Sequence, residues 1–220
     1  MIPNFIVPVL NRYDLLQRML DSIDFPIRDL LIIDNGGELN HVKFPKTVLN
    51  SHVLSMPANQ GVSGSWNLGI KCFPHDNMWM FGSNDVVFGA NALEKLSQAR
   101  RDEITLTESF PHWQAFVVGD QALQRLGLFD ESIHPAFCED VDMRIRAEHH
   151  GVTLRKVQIP IHHDNSSTIH SDGRLKVLNA STHGSNDKYL RDKVARGDFS
   201  EGRWDLDRRR ANAWEAPPVE

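Results

Sequence analysis

Residues 135 to 151 read PAFCEDVDMRIRAEHHG, which sets four acids, Glu139, Asp140, Asp142 and Glu148, beside Arg144, Arg146 and the pair His149-His150. Carboxylates gathered behind a Pro-Ala-Phe-Cys turn have two readings. Acids in a first helical turn interact favourably with the helix dipole, and a charged helix face is ordinarily solvated. Alternatively, one of them is a general base, because a positioned carboxylate can take a proton from a reacting hydroxyl. Three polar turns elsewhere join this cluster as candidates: Asn11-Arg12, Asp34-Asn35-Gly36-Gly37 and Ser83-Asn84-Asp85. Asn, Asp, Ser and Gly are also the ordinary residues of turns, so each alone says little.

The elements that must position these groups follow from hydrophobic periodicity. NFIVPVL is a buried strand, and RYDLLQRMLDSI puts Leu15, Leu16, Met19, Leu20 and Ile23 on one helical face. DLLIIDNGG is a second apolar run, stopped by residues that tolerate a sharp turn. HVLSM is a third strand, followed by a loop and a helix in PANQGVSGSWNLGIKC with Ser63 or Ser65 as its cap. NMWMFGSNDVVF is a strand broken at Gly82 to Asp85, and ANALEKLSQARR is a helix. ITLTE and QAFVVG predict strands, DQALQRLG and EDVDMRIRAEHHG helices closed by Gly127 and Gly151, and VTLRKVQIPIHH a last strand. This alternation predicts an α/β fold, an open and mostly parallel sheet covered by helices on both faces. Ligands in such sheets bind beyond the carboxyl ends of the strands, which is where the three polar turns fall.

Composition narrows the function classes. The 220 residues are 40% hydrophobic and 24% charged, as in ordinary globular domains. A formal net charge of −5 supplies no field for a phosphate backbone and argues against a nucleic-acid partner. Cys72 and Cys138 follow no zinc or redox spacing, so they are expected as reduced thiols in a cytoplasmic protein. The N-terminal stretch lacks a basic leader and a cleavage site, and no apolar run approaches the roughly 20 residues that span a bilayer. One domain is expected over 1–184. From 185 to 220 the sequence turns charged and Gly-punctuated, and it reads as a C-terminal appendage whose aromatic and arginine residues suit an acceptor contact or a homo-oligomer contact.

The order and gaps of FIVPVLNRYDLLQRMLDSI, LLIIDNGG, NQGVSGSWNLGI, FGSNDVVF and LGLFDESIHPAFCEDVDMRIRAEHHG resemble those of the GT-A nucleotide-sugar glycosyltransferases, in particular glycosyltransferase family two. The resemblance covers about residues 2 to 168. It implies the GT-A fold, a Rossmann-like open mixed sheet, and an inverting transfer of a sugar from a nucleoside diphosphate to an acceptor hydroxyl, assisted by a divalent metal.

Residue by residue, the resemblance makes Pro8 and the Asn11-Arg12 turn part of the nucleotide cradle. Asp34 takes the place of the acid that holds the base, where a carboxylate can accept a uracil-type N–H. A strand-terminating Asx turn is the other reading of Asp34. Asn59, Gly61 and Asn67 match a donor-binding Asn-x-Gly and downstream Asn, with helix capping and core satisfaction as alternatives. Asn84 and Asp85 fall where the family carries Asp-x-Asp, but only the last acid is present. A hard cation then takes its other oxygens from the diphosphate and water. His163, or His162, matches the distant ligand, and an imidazole favours Mn²⁺ over Mg²⁺. The resemblance places the catalytic base at Asp140, with Glu139 orienting it or binding the acceptor. A carboxylate there is expected to be held ionised by the dipole. Asp142, about 200° further round the helix, is expected on the helix surface or in an ion pair. Trp113, before a strand in ESFPHWQ, is a candidate for lining an acceptor or sugar pocket, whereas Trp66 and Trp79 sit in core patterns.

The expected donor is a nucleoside-diphosphate sugar, UDP favoured, and the acceptor a glycan, protein or small molecule. Two other readings stand beside this one. The single acid of Ser83-Asn84-Asp85 fits a GT-A-like binding module without catalysis. A sugar-nucleotide nucleotidyltransferase shares the α/β plan but needs a Gly-rich phosphate loop that VPVLNRYDLL does not have.

Overall fold

Long apolar runs become strands buried on both faces. β1 (Ile2–Val9) and β2 (Ile27–Asp34) are such strands, and Phe5, Val7, Leu30 and Ile32 face one side while Ile6, Leu31 and Ile33 face the other. The computed structural model describes residues 1–164 and 173–199. Between and after these strands come α1 (Tyr13–Asp21), β3 (Val48–Ser55), α2 (Gly61–Cys72), β4 (Met78–Gly82), β5 (Val86–Phe88) and α3 (Ala92–Leu96). The chain continues through β6 (Glu103–Thr107), β7 (Ala115–Gly119), α4 (Asp120–Leu126), α5 (Glu139–His150), β8 (Thr153–Val157), β9 (Ile161–His163) and α6 (Gly173–Ala195).

A seven-stranded sheet has the order β3-β2-β1-β4-β7-β6-β8, and β5 pairs with β9 in a separate ribbon. Neighbours in the large sheet are parallel except where β7 runs against β4 and β6. This is the expected α/β architecture, a mixed open sheet with helices on both faces. Leu16, Met19 and Leu20 of α1 and Leu93 and Leu96 of α3 cover one face. Trp66 and Ile70 of α2, Leu123 and Leu126 of α4, and Met143 and Ala147 of α5 cover the other. Burial of each such side chain contributes about 1.5–3 kcal/mol, so the two apolar layers fix the sheet and leave its edges to carry chemistry. Because β1 lies between β2 and β4, the chain passes from one side of β1 to the other, and a crevice opens at the carboxyl end of that switch.

Two helices differ from their expected bounds. Neither Ser63 nor Ser65 caps α2, which begins at Gly61 because Asn59 Oδ1 accepts the Gly61 N–H at 2.9 Å and Asn35 Oδ1 accepts that of Gln60 at 2.9 Å. The helix α3 is one short turn, ending where Ser97 Oγ bonds back to the Glu94 carbonyl at 2.7 Å. By contrast, Gly127 and Gly151 close α4 and α5 with positive φ, as their positions predict.

The boundary expected at residue 184 falls inside α6, and Asn186, Leu190 and Lys193 of this helix are buried. Leu190 packs with Ile133 and Cys138, Asn186 bonds to backbone carbonyls, and Lys193 is buried against charge. Lys193 Nζ lies 2.8 Å from Asp130 Oδ2 and 2.8 Å from Asp142 Oδ1. Arg146 Nε donates to Asp142 Oδ2 at 2.8 Å and Arg146 Nη1 to the Leu126 carbonyl at 2.7 Å. Tyr189 O–H adds a bond to Asp130 Oδ2 at 3.0 Å. Two carboxylates and two cations, none more than 2% exposed, thus balance one another and join α5, α6 and the loop after α4. Asp142 accordingly sits in an ion pair and not on the helix surface. Residues 200 to 220 lie outside the described residues.

Removing one member of a buried ionic group leaves the others desolvated and uncompensated. Lys193→Met should therefore destabilise the fold by about 3–5 kcal/mol, on the order of 10 °C in melting temperature for a chain of this size. Calorimetry of the variant checks this, and an unchanged Tm would show that α6 is not held by the network.

Candidate functional site

A cavity of about 600 Å³ opens at the carboxyl edge of the sheet, over the crevice beside β1. Its walls come from the ends of β1 and β2, the first turn of α2, the β4–β5 turn, the loops over residues 110–114 and 135–140, and single residues of β9 and α6. Pro8, Asn59, Gly61, Asn84, Asp85, Trp113, Glu139, Asp140 and His163 all line it.

One wall is made by the small ribbon. β5 pairs antiparallel with β9 so that Val86 lies opposite His163, and this register carries His163 to the turn that ends β4. His163 Nε2 stands 2.9 Å from Asp85 Oδ1, and both side chains are nearly buried. The neighbouring Asn84 donates from Nδ2 to the Asn11 carbonyl at 3.2 Å, tying the β4–β5 turn to the loop after β1. Strand alternation turns His162 the other way, to a side chain 70% exposed and 3.3 Å from Asp164. Asp85 and His163 offer an oxygen and a nitrogen ligand side by side, and the buried Nδ1 of His163 makes no hydrogen bond. Among the described residues no third His, Cys, Asp or Glu completes a set. The pair therefore fits a divalent ion whose remaining ligands come from a bound diphosphate and water.

Another part of the cavity lining comes from the start of α5. Phe137 and Cys138 both have positive φ, 70° and 79°, a conformation that side chains with a Cβ adopt rarely. This bend sets Glu139 and Asp140 in the first turn, where Asp140 Oδ1 accepts the Val141 N–H at 2.8 Å. Burial raises the Asp140 carboxyl above its ordinary range, and its backbone amides and Arg144 offset only part of that. Desolvation thus outweighs the amides and the neighbouring cation at Asp140. Glu139 is more perturbed. Its Oε2 is buried with no hydrogen-bond partner, and burial together with the charge of Asp140 pushes its carboxyl up to about 8.

Three other sequence candidates, Asp34, Asn67 and Arg12, do not line the cavity. Asp34 is fully buried, and its carboxylate accepts Tyr13 O–H at 2.7 Å and the N–H groups of Gly36, Gly37 and Leu39 at 3.0–3.2 Å. It closes the turn after β2, as the Asx-turn reading has it. Asn67 is also buried, and it spans to the loop after α4 through the Phe129 N–H and carbonyl and Glu131. Arg12 holds Asp14 through two bonds of 2.9 and 2.8 Å at the start of α1. Gly61 is required for a different close approach: a Cβ there would lie 2.8 Å from both the His134 ring and the Pro135 carbonyl oxygen. The space it frees is filled by the loop over residues 134–135, not left open to a ligand.

The cavity also has lining residues to which the sequence assigns no site role, among them Asn35, Phe137 and Trp66. Asn35, buried like its neighbour Asp34, lines the cavity and bonds to Ser65 Oγ at 2.9 Å, so within the polar turn after β2 it is the Asn and not the Asp that reaches the cavity. Phe137 lines it from within the strained bend. Trp66 was assigned to the core, and it does pack on Phe116 and Phe129, but it also reaches the cavity and its indole N–H has no partner. Trp113 stacks edge-on against Phe116 at 4.8 Å and extends the same aromatic floor.

No family model matches the sequence. No curated protein matches it either. Solved structures do. The crystal structure of S. aureus TarS 1-349 in complex with UDP aligns over 72% of this chain and 58% of its own, with a TM-score of 0.56 and 13% identity. A structure of S. aureus TarS aligns over 72% of this chain and 35% of its own, at 0.51 and 12%. GalNAc-T7 with UDP, GalNAc and Mn²⁺ aligns over 74% of this chain and 44% of its own, at 0.57 and 10%. The chain thus spans from about a third to somewhat over half the length of these proteins. Identity at this level speaks for the fold, and the fold is GT-A, that of the nucleotide-sugar glycosyltransferases.

Proposed function

We propose that this protein is an inverting glycosyltransferase that moves a sugar from a UDP-sugar to an acceptor hydroxyl, with Asp140 as the general base. The observation that carries the reading is the cavity itself, which gathers the Asp85-His163 pair and the Glu139-Asp140 pair at the ligand-binding edge of an α/β sheet. That TarS was crystallised with UDP and GalNAc-T7 with UDP, GalNAc and Mn²⁺ supports the donor class.

In the proposed reaction the acceptor oxygen attacks the anomeric carbon, Asp140 takes its proton, and the bond to the diphosphate breaks with its electron pair on the leaving oxygen. Raised basicity helps Asp140 here, since a carboxylate pushed above its ordinary range accepts a proton more readily. Glu139, carrying its own proton near neutral pH, adds no second negative charge and can donate a hydrogen bond to the acceptor or sugar. Trp113 and Trp66 give the floor a face for a sugar ring. The carboxylates of Asp85 and Asp140 on one cavity would repel a diphosphate. When bound between Asp85 and His163, a divalent cation supplies the charge neutralisation that the departing diphosphate needs. A binding module without catalysis is the alternative, favoured by the absence of a third protein ligand among the described residues.

Thermal-shift titration with UDP, with and without Mn²⁺, tests the donor reading, because a ligand that binds the native state raises its melting temperature. Stabilisation should require the metal and should vanish in Asp85→Ala. Equal stabilisation in parent and variant would remove Asp85 from the site.

For the base, Asp140→Asn keeps the shape of the side chain and loses the proton acceptor. Its kcat for transfer should fall on the order of 10²–10⁴-fold with donor affinity little changed. Parental turnover in this variant would remove Asp140 as the base, whereas absence of turnover in the parent itself would favour the binding-module reading.

Glu139 gives a pH signature. In the unfolded chain its carboxyl ionises near the ordinary value, while in the folded protein it keeps its proton to about 8. Its contribution to stability is therefore complete below the unfolded pKa, is lost as pH rises toward 8, and does not change further above it. Glu139→Gln removes this loss, so the variant should gain in Tm over the parent as pH is raised from 5 to 8. A Tm difference independent of pH would show that Glu139 is ordinary in the folded state.

A further inference from the structure

The bend that delivers Asp140 needs something to hold it. Phe137 and Cys138 carry consecutive left-handed φ values of 70° and 79°, although neither is a glycine. Such a conformation persists only where its surroundings over-determine it. Here the surroundings are α6. Asn186, 5% exposed, donates from Nδ2 to the Ala136 carbonyl at 3.0 Å and to the Phe137 carbonyl at 3.2 Å. One amide group thus gathers two successive carbonyls, which an extended strand would point in opposite directions. Cys138 is buried with Ile133 and Leu190, and the Phe137 ring packs on that of His183 at 5.2 Å. The same helix is anchored one and two turns further on by Tyr189 and Lys193 in the buried ion network.

We infer that Asn186 is a positioning residue: through its two hydrogen bonds, α6 holds the left-handed bend at Phe137–Cys138 and so fixes where the first turn of α5 presents Asp140 to the cavity. The inference rests on the proposed role of Asp140. Without the amide the two carbonyls lose their common donor, the bend is free to relax toward negative φ, and the peptide planes that orient Glu139 and Asp140 turn with it. The pair of Asp85 and His163 belongs to other elements and keeps its geometry.

Two readouts separate this role from general support. The first is the Cys138 thiol, which the bend keeps buried and which burial holds in its unreactive protonated form, its pKa pushed up to about 11. In a Cys72→Ser background, which removes the exposed thiol, Asn186→Ala should raise the rate of Cys138 labelling by a maleimide about tenfold or more, as a local opening does. The second is kinetic: kcat for release of UDP from UDP-GalNAc, or from whichever UDP-sugar the parent turns over, should fall on the order of 10²-fold, the cost of displacing a reacting group by about an ångström. The Kd for UDP with Mn²⁺, by calorimetry, should stay at the parental value. Asn186→Asp keeps the size and removes the donor, and it should behave alike if the alanine variant folds poorly.

Labelling of Cys138 at the parental rate in both variants overturns the inference whatever the kinetics. Faster labelling with parental kcat overturns it as well. In that case parental turnover by Asp140→Asn in the same assay would place the error in the choice of base, and a slow Asp140→Asn would place it in Asn186.

Discussion

The buried group of Asp130, Asp142, Arg146 and Lys193 is the interaction on which the rest of this structure depends. It crosslinks α5, α6 and the loop after α4 beside a small apolar cluster of Ile133, Cys138 and Leu190, and charge taken out of water is tolerated only when it is fully compensated. Such a group is intolerant of small displacements, because each ion is costly without its partners. The wall of the cavity that carries Glu139 and Asp140 is built on the end of α5 nearest this group, so the buried charges and the apolar contacts of α5 together set its position. The ribbon wall is set by strand pairing, through the register that puts Val86 beside His163.

Two parts of one cavity held by different means, strand pairing and helix packing, suit the proposed roles of Asp85 with His163 and of Asp140. The ribbon wall pairs an acid with an imidazole, and the helix wall pairs two acids of which one keeps its proton near neutral pH. Neighbouring carboxyls driven apart in protonation are a recurrent way of making one acid donate while the other accepts. Here the cause is desolvation first and mutual repulsion second.

Much of this was legible in the sequence, and what was missed has identifiable physical reasons. Strands buried on both faces announce themselves as unbroken apolar runs, so the sheet, the helices between its strands and the polar turns at its carboxyl edge were readable from NFIVPVL onward. The Glu139-Asp140 and Asp85-His163 positions were readable only through resemblance, since nothing in the spacing of residues 85 and 163 tells that β5 and β9 pair. Asp34 misleads because a turn-closing carboxylate and a base-binding one look the same in sequence; only the four donors around it separate them. Burial of α6 was invisible because the residues it buries are Lys193 and Asn186 as much as Leu190, and a helix packed through polar groups shows no apolar stripe. Trp66 was taken as core, and it is core on one side and cavity floor on the other.

The central claim is that the cavity seats a nucleoside diphosphate and its cation against Asp85 and His163, in the same cavity as Asp140. Anomalous diffraction at the manganese edge, from crystals grown with UDP and Mn²⁺, tests this most directly. The account predicts one anomalous peak bonded to the Asp85 carboxylate and the His163 imidazole, with the diphosphate of UDP on its cavity side. UDP bound in the cavity without a peak at that pair, or a peak and nucleotide seated elsewhere on the protein, would contradict it.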